Sequence, residues 1–209
     1  ICLADPSRPI RDKFADMGVT ATPSNQLAAQ GADIVCVVVK PWLVEQVLTG
    51  IRDVMDYDQQ TLVVVAAGVK SESIKQWMTK EGKMIPTFLV IPNIAIAQLA
   101  SMTFIVPSIA TTQQHTDQVV KLFESMGKTI ITDEQHLGAG TTLASCGIAY
   151  AMRYIRAAAE GGVELGFKAD DAKAIVMQTM KGAVELLEAT GLHPEAAIDL
   201  VTTPGGVTI

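Results

Sequence analysis

The most concentrated chemistry in the chain lies at 201–209, Val201-Thr202-Thr203-Pro204-Gly205-Gly206-Val207-Thr208-Ile209. Two adjacent glycines, Gly205 and Gly206, let the backbone turn sharply and let a ligand approach it closely, because neither carries a Cβ. If a helix starts here, the N–H groups of Gly206, Val207 and Thr208 are among its first unpaired donors. Such donors, with the helix dipole behind them, hold a carboxylate or a phosphate. Thr203 and Thr208 add hydroxyls at the rim. An ordinary helix cap after a turn uses the same residues, and the local chemistry leaves both readings open.

A second set of residues follows short apolar runs. Lys40 comes just after the β-branched run 33–39, and the pair Ala67-Gly68 follows the run 62–66. In open α/β sheets ligands bind beyond the carboxyl ends of the strands, which is where these residues fall. A solvated surface lysine and a simple tight turn are the bland alternatives. After the first run, 1–4, come Asp5, Ser7 and Arg8. A serine and an arginine there suit a 2′-phosphate, whereas an aspartate suits free ribose hydroxyls, so the two signals conflict. A helix cap is an equally good reading for Ser24 and a fair one for Asn25. His115, His136 and His193 are scattered, with no Cys, Asp or Glu at ligand spacing, so no metal site is expected. Cys2, Cys36 and Cys146 lie far apart and read as buried free thiols of a reducing, cytoplasmic compartment.

These residues need a scaffold. The first half alternates strand-sized runs (1–4, 19–21, 33–39, 62–66, 83–91) with helical patterns (7–17, 42–55, 71–81). Two further strands, 102–106 and 129–132, bracket a helix at 112–126. Continuous apolar strands separated by helices predict a doubly wound, mainly parallel α/β sheet over residues 1–133. From 134 to 209 the pattern is all-helical, with helices at 143–161 and 169–188 and a short one opened by His193-Pro194. Those helices are apolar on more faces than one subunit can cover, which predicts an intimate homodimer, with higher oligomers open. The chain opens on what reads as a second strand, with no glycine-rich loop before it, and stops where a helix is expected to begin; both ends read as missing sequence. Net charge is -6, from 22 acidic and 16 basic residues with no basic cluster, which argues against nucleic acid. The apolar runs are far too short to span a bilayer.

Thr203-Pro204-Gly205-Gly206-Val207-Thr208 is similar to the Ser/Thr-Pro-Gly-Gly-x-Thr signature of pyrroline-5-carboxylate reductases. Val39-Lys40-Pro41, Ala66-Ala67-Gly68-Val69 and Ile91-Pro92-Asn93 resemble that family's Val-Lys-Pro, Ala-Gly-Val and Met-Pro-Asn segments, in order and at matching spacing. Gly161-Gly162-Val163, Gly166, Gln178-Thr179 and His193-Pro194 fall at its helical landmarks.

The resemblance implies a Rossmann-type domain followed by a helical dimerisation domain, and NAD(P)H-dependent reduction of Δ1-pyrroline-5-carboxylate to L-proline. It implies a substrate carboxylate on Gly205, Gly206, Val207 and Thr208, helped by Thr203, with the Thr208 hydroxyl on the ring nitrogen. For the cofactor it implies Val39, Lys40, Pro41, Ala67, Gly68 and Asn93 lining the dinucleotide, Asn25 near the adenosine, and Ser7 and Arg8 at a 2′-phosphate. Ser7 tilts the expectation to NADPH, with NADH as the alternative.

The chain departs from the family at Ala144-Ser145-Cys146-Gly147-Ile148-Ala149-Tyr150, where Ser-Gly-Ser-Gly-Pro-Ala-Tyr is expected, at Leu89, where an arginine is expected, and at Ile94-Ala95, where Thr-Pro is expected. These changes keep two alternatives open: a related reductase of another imine or keto acid, and a dinucleotide-binding paralogue without catalysis.

Overall fold

The computed structural model describes residues 1–208 and divides into two compact units, one ending at Cys146 and the other beginning at Gly147. In the first unit, strands β1 (Cys2–Ala4) and β2 (Thr20–Thr22) flank helix α1 (Arg8–Asp16), and helix α2 (Asn25–Ala29) follows. Strand β3 (Ile34–Val37) leads through a 3₁₀ turn, Pro41–Leu43, into α3 (Val44–Ile51), and a second such turn, Arg52–Val54, ends it. The single amphipathic stretch expected at 42–55 is thus one short α-helix between two tighter turns. Next come β4 (Thr61–Val64), α4 (Ser71–Met78), β5 (Thr87–Ile91), β6 (Ser101–Pro107), α5 (Gln113–Glu124) and β7 (Gly127–Ile131).

The strands form two sheets rather than the one expected. β1 and β2 make a parallel pair, and β3-β4-β5-β6-β7 make a five-stranded sheet in that order. The reason is hydrogen bonding: among the described residues β1 pairs only with β2 and β3 only with β4, so no strand joins the two sheets. Within the larger sheet every pair is parallel except β5 with β6. The architecture is the expected mainly parallel α/β one.

The uninterrupted apolar character of β4 and β5 follows from burial on both faces. Leu62, Val64, Leu89 and Ile91 point to one side, with Val44, Leu48 and Ile51 of α3 and Ile74 and Met78 of α4 in the same core. Val63, Phe88 and Val90 point to the other, with Val119 and Phe123 of α5. The helix residues recur at three- and four-residue spacing, which puts each set on a single helix face.

Past β7 the structure breaks the helix expected at 143–161. Helix α6 (Glu134–Gly140) passes into a π turn, Thr141–Cys146, before α7 (Gly147–Glu164) begins. Thr141 Oγ1 donates to the Leu137 carbonyl at 2.8 Å and Thr142 Oγ1 to that of Gly138 at 3.1 Å. Back-bonding of this kind competes with the regular ladder and bends helices. α6 packs with the sheet, since a Cβ on Gly140 would lie 2.7 Å from the Phe104 ring. The first unit therefore runs past the last strand, which ends at Ile131, to Cys146.

In the second unit α7 is followed by α8 (Ala169–Thr190) and α9 (Pro194–Val201), with no strand among the described residues. α7 and α8 meet at Gly162 and Ala172, where a Cβ added to Gly162 would lie 3.1 Å from that of Ala172. Ala172 is the only buried residue of α8, while Ile175, Met177 and Val184 remain about half exposed. Tyr150, Met152 and Tyr154 of α7 are likewise open.

Candidate functional site

Three loops of the larger sheet follow the carboxyl ends of adjacent parallel strands. Val39-Lys40-Pro41 follows β3, Ala66-Ala67-Gly68 follows β4 and Pro92-Asn93 follows β5. Parallel neighbours end on one edge, so these segments stand side by side where open α/β sheets bind ligands. Lys40 is exposed at the start of the 3₁₀ turn, and its ammonium meets no partner among the described residues. Val39 is half-buried against the core and Pro41 exposed. Ala67 and Gly68 are exposed, and Gly68 holds φ +81, a conformation that a side chain would strain. Nothing lies within 4 Å of where its Cβ would be, so the backbone is bare to an approaching ligand. A free cation next to an open, glycine-bearing edge fits the phosphates and flat rings of a dinucleotide.

At the β1–β2 pair, Asp5 turns toward the following helix. Its Oδ1 accepts from the Ser7 N–H at 2.7 Å, and its carbonyl accepts from Arg11 Nη1, also at 2.7 Å. Arg8 is exposed and loosely paired with Asp12 at 3.6 Å. Ser24, not Asn25, caps α2: Ser24 Oγ accepts from the Leu27 N–H at 3.3 Å, and Asn25 is the exposed first residue of the helix.

Asn93 differs from its neighbours in being buried. Its Oδ1 accepts from the Ala95 N–H at 3.0 Å, its own N–H donates to Ser101 Oγ at 3.1 Å, and its Nδ2 donates to the Ala144 carbonyl at 3.4 Å. Ser101 Oγ and Thr103 Oγ1 share a further hydrogen bond of 2.9 Å, both residues being buried. Sequence reasoning missed Ser101, Thr103 and Ala144, and no local signal marks them. They join Asn93 only because β6 runs antiparallel beside β5 and the π turn returns to the sheet.

The residues at 202–208 belong to the second unit. They form turns, and no helix starts among them; Ile209 lies outside the described residues. Gly206 N–H donates to the Thr203 carbonyl at 2.8 Å, and Gly205 holds φ +72. With Pro204 at the second position and glycine at the third, this is a type II turn, and it accounts for the Pro-Gly-Gly order. The Gly206 amide is therefore engaged within the turn rather than presented as a free helix-start donor. The N–H groups of Val207 and Thr208 donate to nothing among the described residues, and Thr203, Val207 and Thr208 are exposed.

Other features stay apart from this set. An apolar groove of about 460 Å³, lined by Ile74, Met78, Ile85, Leu89, Val106 and Ile109 among others, contains none of the candidate residues. The three cysteines are free as expected but exposed rather than buried. Cys36, on β3, is among the exposed ones, yet partial burial of its thiol pushes it above the ordinary 9.0. Among the described residues no group of three or more His, Cys, Asp or Glu could hold a metal, and no helix is long and apolar enough to cross a membrane.

Residues 134–209 match the family model for pyrroline-5-carboxylate reductase dimerisation. The chain is 34% identical over 209 residues to a pyrroline-5-carboxylate reductase of Pisum sativum, covering 99% of this chain and 73% of that protein. It is 35% identical over 202 residues to that of Glycine max, covering 95% and 71%. Pyrroline-5-carboxylate reductase 1 of Dictyostelium discoideum is 36% identical over 203 residues, and there the chain spans 92% of its own length but 36% of the relative. Among solved structures, a pyrroline-5-carboxylate reductase of Coxiella burnetii superposes with a TM-score of 0.90 at 24% identity, covering 100% of this chain and 77% of that one. The Plasmodium falciparum pyrroline carboxylate reductase with NADP bound gives 0.86 at 22% identity, covering 99% and 75%. The structural likenesses establish the fold; the sequence identity, sustained along almost the whole chain, shows that it belongs to the pyrroline-5-carboxylate reductase family.

Proposed function

We propose that the full-length protein reduces the C=N bond of Δ1-pyrroline-5-carboxylate to give L-proline, with NADPH as the preferred cofactor and NADH as the alternative. The observation that carries this reading is the placement of Val39-Lys40-Pro41, Ala67-Gly68 and Asn93 at the ends of three adjacent parallel strands, in a chain whose relatives are named for that reaction. When bound, a reduced nicotinamide supplies hydride to the imine carbon. Lys40 sets its charge against the dinucleotide phosphates, while Val39 and Pro41 shape the groove beside it. The bare backbone of Ala67 and Gly68 lets the nicotinamide lie close to the sheet edge. Ser7 and Arg8 take a 2′-phosphate, and Asn25 borders the adenosine. In the second unit the amides of Val207 and Thr208 and the Thr203 hydroxyl hold the substrate carboxylate. Gly205 and Gly206 shape that turn, and the Thr208 hydroxyl holds the ring nitrogen. A protonated imine is already electrophilic, so no covalent lysine is required, and the protein's work is alignment and electrostatics.

The direct test is cofactor oxidation by the full-length protein with pyrroline-5-carboxylate, NADPH and NADH being compared and proline measured as product. Absence of both cofactor oxidation and proline overturns the reading. A second reading, reduction of a different cyclic imine or keto acid, is favoured by Ser145, Cys146 and Ile148 at the π turn and the start of α7, and is scored by the same assay with those substrates.

Lys40→Ala is expected to raise the Michaelis constant for the cofactor more than that for the imine. Lys40 has no partner among the described residues, so its loss disturbs no packing. An unchanged cofactor constant returns Lys40 to the solvated surface. The half-exposed apolar side chains of α7 and α8, with the dimerisation match over 134–209, support a homodimer formed through the helical unit, with higher homo-oligomers left open. Light scattering at micromolar concentration is expected to give at least a dimer; a stable monomer contradicts it. A cytoplasmic setting fits the three free thiols.

A further inference from the structure

We infer that Asn93 is a positioning residue, whose buried side-chain amide pins the π turn Thr141–Cys146 to the carboxyl edge of the sheet and so sets one wall of the reaction site. The inference rests on the functional reading above.

The argument begins with the hairpin. β5 and β6 are antiparallel, with Ile91 opposite Phe104, so the residues just after β5 lie beside the start of β6. There Thr103, Ser101 and Asn93 form a continuous buried chain, Thr103 Oγ1 to Ser101 Oγ at 2.9 Å and Asn93 N–H to Ser101 Oγ at 3.1 Å. The Asn93 main chain is thereby fixed, and its Oδ1 is fixed by the Ala95 N–H. With both anchored, the orientation of Nδ2 is determined, and it faces the Ala144 carbonyl.

That carbonyl lies inside the π turn. Interruptions of this kind in a helix leave main-chain groups without their regular partners and recur at functional sites. Two further contacts hold the same segment. Gly140 lies directly against Phe104, where any side chain would collide with the ring. Thr141 Oγ1 bonds back to Leu137. The result is that Ala144, Ser145 and Cys146 are held to the same strand end as Asn93, whose neighbour in the sheet is the β4 loop bearing Ala67 and Gly68. An amide suits this role because one end accepts and the other donates.

The discriminating variant is Asn93→Asp in the full-length protein. It keeps the oxygen that caps Ala95 and replaces the donor facing Ala144 with an acceptor. Ionised, the new carboxylate repels the Ala144 carbonyl; protonated, it donates as the amide did. At neutral pH imine turnover is expected to fall on the order of tenfold and amide hydrogen exchange across 141–146 to accelerate by a similar factor. The two losses should appear together, and the kinetic one should not be confined to the cofactor's Michaelis constant.

Unchanged exchange at 141–146 overturns the inference. So does a loss confined to the cofactor constant, which would make Asn93 a cofactor contact only. If the wild-type protein does not reduce pyrroline-5-carboxylate, the functional reading fails, yet exchange at 141–146 still decides whether Asn93 holds the turn.

Discussion

Thr208→Ala in the full-length protein is expected to lower turnover by on the order of 10²–10³ while leaving the Michaelis constant for the imine within a few-fold. The substitution keeps the Thr208 amide, the Pro204-Gly205 turn and the Gly206-to-Thr203 hydrogen bond, so the proposed carboxylate site is left intact. In the proposed pose it removes one hydrogen bond to the ring nitrogen, whose charge changes as the bond is reduced, and losing one preorganised donor of that kind typically has this cost. Thr208 is exposed and donates to nothing else among the described residues, so its truncation should not unfold the chain. Steady-state kinetics with both substrates varied separates the two constants. Near-normal turnover would remove Thr208 from the ring nitrogen and put a different substrate or pose ahead.

Gly206→Ala should fail differently, and the structure changes the reason. Sequence reasoning suggests that an added methyl crowds the bound carboxylate. In the fold the methyl first meets the turn itself, lying 2.4 Å from Thr203 Oγ1 and 2.9 Å from the Thr203 carbonyl oxygen. The hydroxyl can rotate away, but the carbonyl is main chain and carries the hydrogen bond that closes the turn. Overpacking of this sort typically costs about 1–3 kcal/mol, enough to shift substrate binding by roughly ten- to a hundredfold. The imine's Michaelis constant should therefore rise sharply, with the cofactor's little changed and the melting temperature held by the rest of the molecule. A wild-type constant for the imine would show that the 203–206 turn does not shape the substrate site.

The parts of this protein legible in its sequence are those whose cause is local or periodic. β4 and β5 read as buried strands because Leu62-Val63-Val64 and Phe88–Ile91 are apolar at every position, and a strand is apolar at every position only when both faces are covered. α8 reads as a helix from its 3.6-residue stripe and its two early aspartates, and Pro194 marks the start of α9. The order of Lys40, Gly68 and Asn93 along the chain already places each just after a strand. Tertiary structure decided the rest. The helix of 143–161 starts with a π turn because side chains at 141 and 142 bond backward and because Asn93 reaches Ala144 from 51 positions away. No window of sequence contains that contact. Residues 203–206 close a turn, in which the Thr203 carbonyl takes the Gly206 amide and leaves those of Val207 and Thr208 open. The strands form two sheets because pairing depends on which strand lies beside which, a property of the whole fold that the pattern within each strand does not carry.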